Sequence, residues 1–273
     1  MFSNIYEQLL SKGYAAAMDC IEESAIFEIQ KSINSNLINY LILNKTNQYK
    51  TFQENFYACK NFLSQHEIQV FLSKKLLIDD LIDKIIFNNK VKDILSFLLG
   101  PDLEYLSDFE MAINDKNEIK NDYLFKKYHQ EFWSGMGVEA LQLWIPIFLE
   151  KGMGTIEVIE ESHTWGHIPH SNREPIEIPK NHNSTILDVK LGSLAIFTSF
   201  TLHRTVLNNF DSPRVALPIT VRNPYYPNTG NMDLFNFRKI KMSYFSRFRK
   251  ILGNNQYSPF RILGQDRKDF YKK

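Results

Sequence analysis

Over the first hundred positions apolar residues recur at helical spacing. Ile26, Ile29, Ile33, Leu37 and Tyr40 fall near one stripe and predict a helix over 21–43. The same period predicts helices over 52–63, 67–76 and 91–99, the last stopped by Gly100-Pro101. From Glu104 onward the pattern changes to short runs rich in β-branched and aromatic residues, separated by turn signals. Strands are expected over 104–113, 140–149, 155–160, 175–178, 184–189, 193–199, 201–207 and 214–222. Eight short strands at this spacing point to a sandwich or jelly roll, buttressed by the helices of 1–100.

The run 214–222 alternates. Arg214, Ala216, Pro218 and Thr220 share one face; Val215, Leu217, Ile219 and Val221 share the other, where an N-terminal helix can cover them. The approach over 119–128 is polar and reads as partly loop. Residues 237–252 mix basic residues with Met242, Tyr244, Phe245, Phe248 and Ile251, and predict an amphipathic basic helix ended by Gly253. It either docks on the body or serves a substrate or a membrane surface.

At 273 residues the chain suits one large domain: a helical buttress (1–100), a β core (104–223) and a basic C-terminal extension (237–273). Net charge is +1, unevenly spread. Residues 238–273 hold eleven Lys/Arg against Asp266 and Asp269, a local +9, leaving −8 on the rest. A basic tail on an acidic body suggests an anionic small molecule or surface as partner, Arg222, Arg238 and Lys239 adding to the positive side. The acidic body argues against a broad nucleic-acid footprint. Cys20 and Cys59 are too few to staple a secreted fold, and with no apolar leader at the N-terminus the expected location is cytoplasmic.

The chemistry-bearing residues are His129, Glu131, His203 and Arg214. On a strand, His129 and Glu131 share a face about 7 Å apart, with Gln130 pointing away. Two imidazoles and one carboxylate can take one face of a non-haem Fe(II) ion and leave the rest for substrates. A lone His-x-Glu is commonly a surface pair, and a histidine in an apolar run such as 197–207 is commonly a core residue; Arg214 changes the weighting. Across the polar turn 208–213 it is expected on the strand antiparallel to His203, its buried charge calling for an anion such as a dicarboxylate. His163, His167 and His170 resemble a zinc cluster by count, but Gly166 and Pro169 disfavour the helix that spacing needs, so a substrate-lining or structural loop is the reading. Gly152-x-Gly154 lacks the rest of a dinucleotide loop, and Ser162 beside His163 has no triad context.

From Gly13 to Asn223 the chain resembles the phytanoyl-CoA dioxygenase family of Fe(II)/2-oxoglutarate oxygenases. The likeness rests on Gly13-Tyr14, Tyr128-His129-Gln130-Glu131, Leu143-Trp144-Ile145-Pro146, Gly154-Thr155-Ile156-Glu157-Val158-Ile159 before Ser162-His163, Gly192-Ser193-Leu194-Ala195-Ile196-Phe197, His203, Asn208 and Arg214-Val215-Ala216-Leu217. It implies a double-stranded β-helix of cupin type, Fe(II) on His129, Glu131 and His203, and the distal carboxylate of 2-oxoglutarate on Arg214. Trp144 and Thr205 stand where the family makes secondary co-substrate contacts. The implied reaction uses O2 to hydroxylate a small organic substrate, and the basic tail with Arg222, Arg238 and Lys239 favours an anionic one, such as a sugar acid, a phosphorylated or lipid-linked glycan, or an acyl compound. Desaturation, cyclisation or epimerisation on the same centre, and a non-catalytic sugar-binding jelly roll, are the alternatives. The chain departs from the family in Glu131 for the usual Asp and in Glu160-Glu161-Ser162 for Pro-Gly-Ser. The carboxylate argues against a halogenase, which needs that position vacant.

Overall fold

The computed structural model describes residues 2–116, 127–233 and 236–252. Most of the approach over 119–128 and the tail over 253–273 therefore lie outside the described residues. Five helices precede the β core: α1 (Phe2–Lys12), α2 (Glu23–Leu43), α3 (Phe52–Cys59), α4 (Gln65–Ile78) and α5 (Asn89–Leu99). Local chemistry sets their ends. Thr51 with Glu54, and Ser64 with Glu67, form reciprocal capping boxes at α3 and α4. Gly100, at φ +92, closes α5. Helix α1, the π-turn Ile82–Ile86 and strand β1 (Tyr14–Ala17) were not expected from the pattern.

The large sheet runs β1, β9 (Leu194–Thr198), β4 (Ala140–Phe148), β11 (Arg214–Arg222), β2 (Leu103–Leu106), β12 (Phe237–Lys241), and β3 (Ala112–Asn114) also pairs with β11. The small sheet runs β10 (His203–Thr205), β5 (Ile156–Ile159), β8 (Ser184–Ile186). A separate hairpin joins β6 (His170–Ser171) to β7 (Glu174–Pro175). Every described pairing is antiparallel. Between the two main sheets pack Tyr14, Trp144, Ala195, Phe197 and Ala216 from one side and Ile156 and Val158 from the other. This is a jelly roll of the cupin type with one sheet backed by helices.

The alternation in β11 behaves as the pattern predicts. Val215, Leu217, Ile219 and Val221 join the core shared with the helices, while Ala216 faces the inter-sheet core. Because the helices cover its outer face, the large sheet is buried on both sides, and Ala140–Ile147 is buried at every position.

Three expectations are corrected. The single strand over 104–113 is two strands, β2 and β3, parted by Ser107–Met111, where Ser107 binds Asn236 and the Met111 amide donates to Ser73. The helix expected over 237–252 begins as edge strand β12, and only Tyr244–Ile251 is helical (α6). The unpaired rim of β2 takes up the alternating run Phe237–Lys241, overriding its helical period. His203 and Arg214 are not hairpin neighbours. Strand β10 pairs with β5 in the small sheet and β11 with β4 in the large one, so the turn 208–213 carries the chain from one sheet to the other. Asn208 holds that crossover, donating to Asn114 O and Ser212 O and accepting from the Phe210 amide.

Candidate metal centre

His129 and His203 are locked together by backbone. Each amide donates to the other's carbonyl, at 2.9 and 3.1 Å, so the segment before Glu131 extends the small sheet beside β10. His203 and Thr205 share the face of Val158 and Ile156, their register partners, which looks into the sandwich. Phe197 of the opposite sheet meets the His203 ring at 4.4 Å between centroids.

Glu131 departs from the strand geometry expected of it. It opens a 3-10 turn, Glu131–Ser134, that bends the chain after Gln130. The bend still swings its carboxylate inward: Oε1 lies 3.4 Å from His203 Nε2 and 3.9 Å from His129 Nε2. One donor atom from each of the three residues lies within 4.8 Å of the others, the one such group among the described residues. Cis donors about 2.1 Å from a first-row ion sit roughly 3 Å apart, so the trio needs only small movements to close on one. Second-sphere bonds aim the imidazoles. His129 Nδ1 meets Lys127 O at 2.8 Å and His203 Nδ1 meets Thr201 O at 2.9 Å. A carbonyl only accepts, so each neutral ring keeps its proton on Nδ1 and turns the Nε2 lone pair toward Glu131.

The electrostatics agree with a ligand set. Burial, then the neighbouring His203, pushes the His129 pKa down to about 4, leaving it neutral at ordinary pH. Burial alone would raise Glu131, but the neighbouring His203 and His129 and the Arg173 guanidinium outweigh this and lower it. Two imidazoles and a carboxylate are the donor set of non-haem ferrous sites, so the residues present fit Fe(II).

Arg214 starts β11 and is 2% exposed. It reaches across to the small sheet, where Nη2 donates to Val206 O at 3.0 Å and Nη1 donates to Gly154 O. Gly154 is required there, since a Cβ would stand 2.2 Å from Val206. Burial lowers the Arg214 pKa to about 10. A buried guanidinium whose partners among the described residues are carbonyls is suited to a carboxylate. Trp144, on the inner face of β4, is buried opposite Pro218; Thr205 is half-buried two residues beyond His203.

Gln130 is the positioning residue that sequence reasoning passed over as merely pointing away. Fully buried, it donates to Gly166 O and Phe200 O and accepts from the Ile168 amide, clamping the loops around His129 and Glu131. The cluster His163, His167, His170 is not a metal group among the described residues. His163 binds Leu10 O, whereas His170 stacks on Trp133 at 4.6 Å and His167 meets Phe132 at 5.4 Å. With Phe200, 4.7 Å from Phe132, these rings form an aromatic rim beside Glu131. The altered loop at Glu160-Glu161-Ser162 turns through Glu161 at φ +61, and buried Ser162 receives the Leu202 amide, tying the turn to the residue before His203.

Arg222 and Arg238, two of the charges expected to attract substrate, are occupied elsewhere. Arg222 is buried between Glu104 and Glu139, Arg238 pairs with Asp80 and Asp83, and Lys241 lies 3.8 Å from Asp93. Among the described residues Arg173, in the β6–β7 turn, adds a small positive influence on both His129 and Glu131. Its place in a two-residue turn at φ +60 after Asn172 gave no signal of proximity to residues 129–131.

The chain matches no protein-family model and no curated protein. Solved structures do share the fold. The non-heme monooxygenase ThoJ superposes with a TM-score of 0.59 at 17% identity, over 88% of this chain and 84% of its own. The epimerase SnoN, solved with Fe3+, alpha ketoglutarate and nogalamycin RO, gives 0.56 at 12% identity, over 89% and 95%. The non-heme alpha ketoglutarate dependent carbocyclase SnoK gives 0.52 at 12%, over 87% and 96%. The chain shares its fold with non-haem iron enzymes. At these identities the likeness speaks for the fold alone.

Proposed function

We propose that the protein is an Fe(II)- and 2-oxoglutarate-dependent oxygenase, similar to the phytanoyl-CoA dioxygenase group, acting on a small organic substrate. The observation that carries this is the convergence of His129, Glu131 and His203 in a jelly roll whose facing strand carries a buried Arg214 with no carboxylate partner among the described residues. The solved structures of the same fold, SnoN among them with its iron and alpha ketoglutarate, support it. Ferrous iron with 2-oxoglutarate, when bound, supplies the oxidising chemistry: O2 is consumed, 2-oxoglutarate leaves as succinate and CO2, and one substrate C–H bond is oxidised.

The chain's own residues bind, orient and shield. His129 and His203 offer Nε2 because Lys127 O and Thr201 O hold their opposite nitrogens. Glu131 contributes the negative charge, its extra methylene accommodated by the 3-10 turn. Arg214 would hold the distal carboxylate of 2-oxoglutarate through N–H groups that the two carbonyls leave over, with Thr205 and Trp144 as flanking contacts. Trp144, Phe197, Ile156 and Val158 keep water from the inner wall. The rim of Phe132, Trp133, His167, His170 and Phe200 offers flat faces to a cyclic substrate, and Arg173 favours an anionic group on it.

Succinate release with Fe(II) and O2, screened over cyclic acids and phosphorylated sugars, tests the reading. His203→Ala should lose both iron binding and turnover; turnover retained in that variant overturns it. A second outcome on the same centre, epimerisation or ring closure, is supported by the activities named for SnoN and SnoK. Product mass separates the two, since hydroxylation adds one oxygen.

A further inference from the structure

Helix α6 is oriented opposite to an ordinary surface helix. It attaches to the body through polar atoms: the Ser243 amide, Ser243 Oγ and Ser246 Oγ all donate to the buried Asp102 carboxylate, at 2.8, 3.0 and 2.9 Å. At about 100° per residue, Tyr244, Phe245, Phe248, Ile251 and Leu252 fall on the side away from Ser246. They are left in solvent, Tyr244 88% and Ile251 81% exposed. Surface helices of globular proteins bury their apolar stripe; this one buries its serines and presents the stripe outward. Two guanidiniums flank it, Arg247 5.9 Å from the Tyr244 ring and Arg249 5.5 Å from that of Phe245, and no acidic residue occurs in α6.

We infer that α6 is an interfacial helix that seats the protein on an anionic lipid bilayer, its aromatic and aliphatic stripe entering the headgroup boundary and its arginines meeting lipid phosphates. Charge selects this occupant. A second copy would bring arginine against arginine. The chain's own tail over 253–273, with five Lys/Arg against two Asp, is positive as well. Anionic headgroups satisfy the stripe and its flanks together, and the tail adds attraction of the same sign. The helix lies on the surface rather than across it: among the described residues no helix is long and apolar enough to cross a membrane. The inference stands apart from the metal centre.

Co-sedimentation of the full chain tests it, with vesicles of about three parts phosphatidylcholine to one part phosphatidylglycerol against phosphatidylcholine alone. Binding should favour the anionic vesicles near 0.1 M salt and fall steeply near 1 M, as the screening length shortens from about 10 to 3 Å. The double variant Phe245→Ser/Phe248→Ser keeps Ser246 and Asp102, so its melting curve should match the parent while its partitioning falls by at least roughly tenfold. In Phe248→Trp, indole emission should shift to the blue on anionic vesicles. Three results overturn the inference: no vesicle binding by the parent chain, undiminished binding by the double variant, or a concentration-dependent dimer abolished by that variant, which would make a second copy the occupant.

Discussion

Replacing Arg214 with methionine separates a structural arginine from a ligand-binding one. Burial depresses the Arg214 pKa to about 10, and at about 1.4 kcal/mol per pH unit that depression corresponds to roughly 3 kcal/mol against the folded state. The sign follows from a base whose folded pKa is lowered: the cost is fully present below pH 10 and fades as pH rises beyond it. Methionine fills similar length without charge and removes that cost. In return Gly154 O loses its donor, at about 1–3 kcal/mol, whereas Val206 O keeps Asn114 Nδ2 at 3.2 Å. The ligand-free variant should therefore melt within about 2 kcal/mol of the parent, on the stable side if either. Co-substrate binding should respond in the opposite way, because removing one partner of a desolvated charge pair costs about 2–5 kcal/mol, a loss of roughly thirty- to several-thousand-fold in affinity. Anaerobic melting with Fe(II) and 2-oxoglutarate at about 100 times Kd should raise the parent Tm by roughly 5–10 °C, from about 2.7 kcal/mol of linkage. The variant at the same concentration should show almost none of that rise. An equal rise in the variant would refute the carboxylate role. A ligand-free loss beyond about 3 kcal/mol would mean that Arg214 serves the fold instead.

Gln130→Ala strips partners from three backbone groups, at Gly166, Ile168 and Phe200. It should cost about 3 kcal/mol or more in denaturant unfolding and weaken Fe(II) binding although it touches no metal; unchanged affinity in a folded variant would contradict the clamp. Burial pushes both Cys20 and Cys59 up to about 11, so thiolate is scarce at pH 8. Neither thiol should react with a disulfide reagent at that pH until denaturant is added; fast labelling of the native chain would show the core open.

The convergence of His129, Glu131 and His203 was legible from their order along the chain and from Arg214 at the start of an alternating strand, since each part taken alone is common. The inner and outer faces of β11 were readable as well, since a period of two survives burial on both sides. Less legible was whatever depends on contacts distant in sequence. The edge of β2 decides that Phe237–Lys241 is a strand, although its residues suit a helix equally well. The turn 208–213 looks like a hairpin and is a sheet-to-sheet crossover, because Asn208 finds Asn114 far upstream. Arg222 and Arg238 read as free positive charge, yet their acids come from elements 100 or more positions away for Glu104 and Asp80, and charge counts carry no pairing. Arg173 was invisible for the converse reason: a turn tip lacks periodicity, and only the fold brings it near Glu131.

The stretch from Leu10 to Ala17 reaches the centre by a short relay. Leu10 O receives His163, Lys12 O receives the Glu161 amide, and Gly13 O receives Thr198 and Thr201, whose own carbonyl orients His203. A shortened expression clone beginning after Ala17 would thus loosen His203, a proposed iron ligand some 190 positions downstream (Gly13 to Thr201 alone spans 188). It would also bare the rim of β9 to strand exchange between molecules. Purification handles are better fused ahead of α1 than substituted for it.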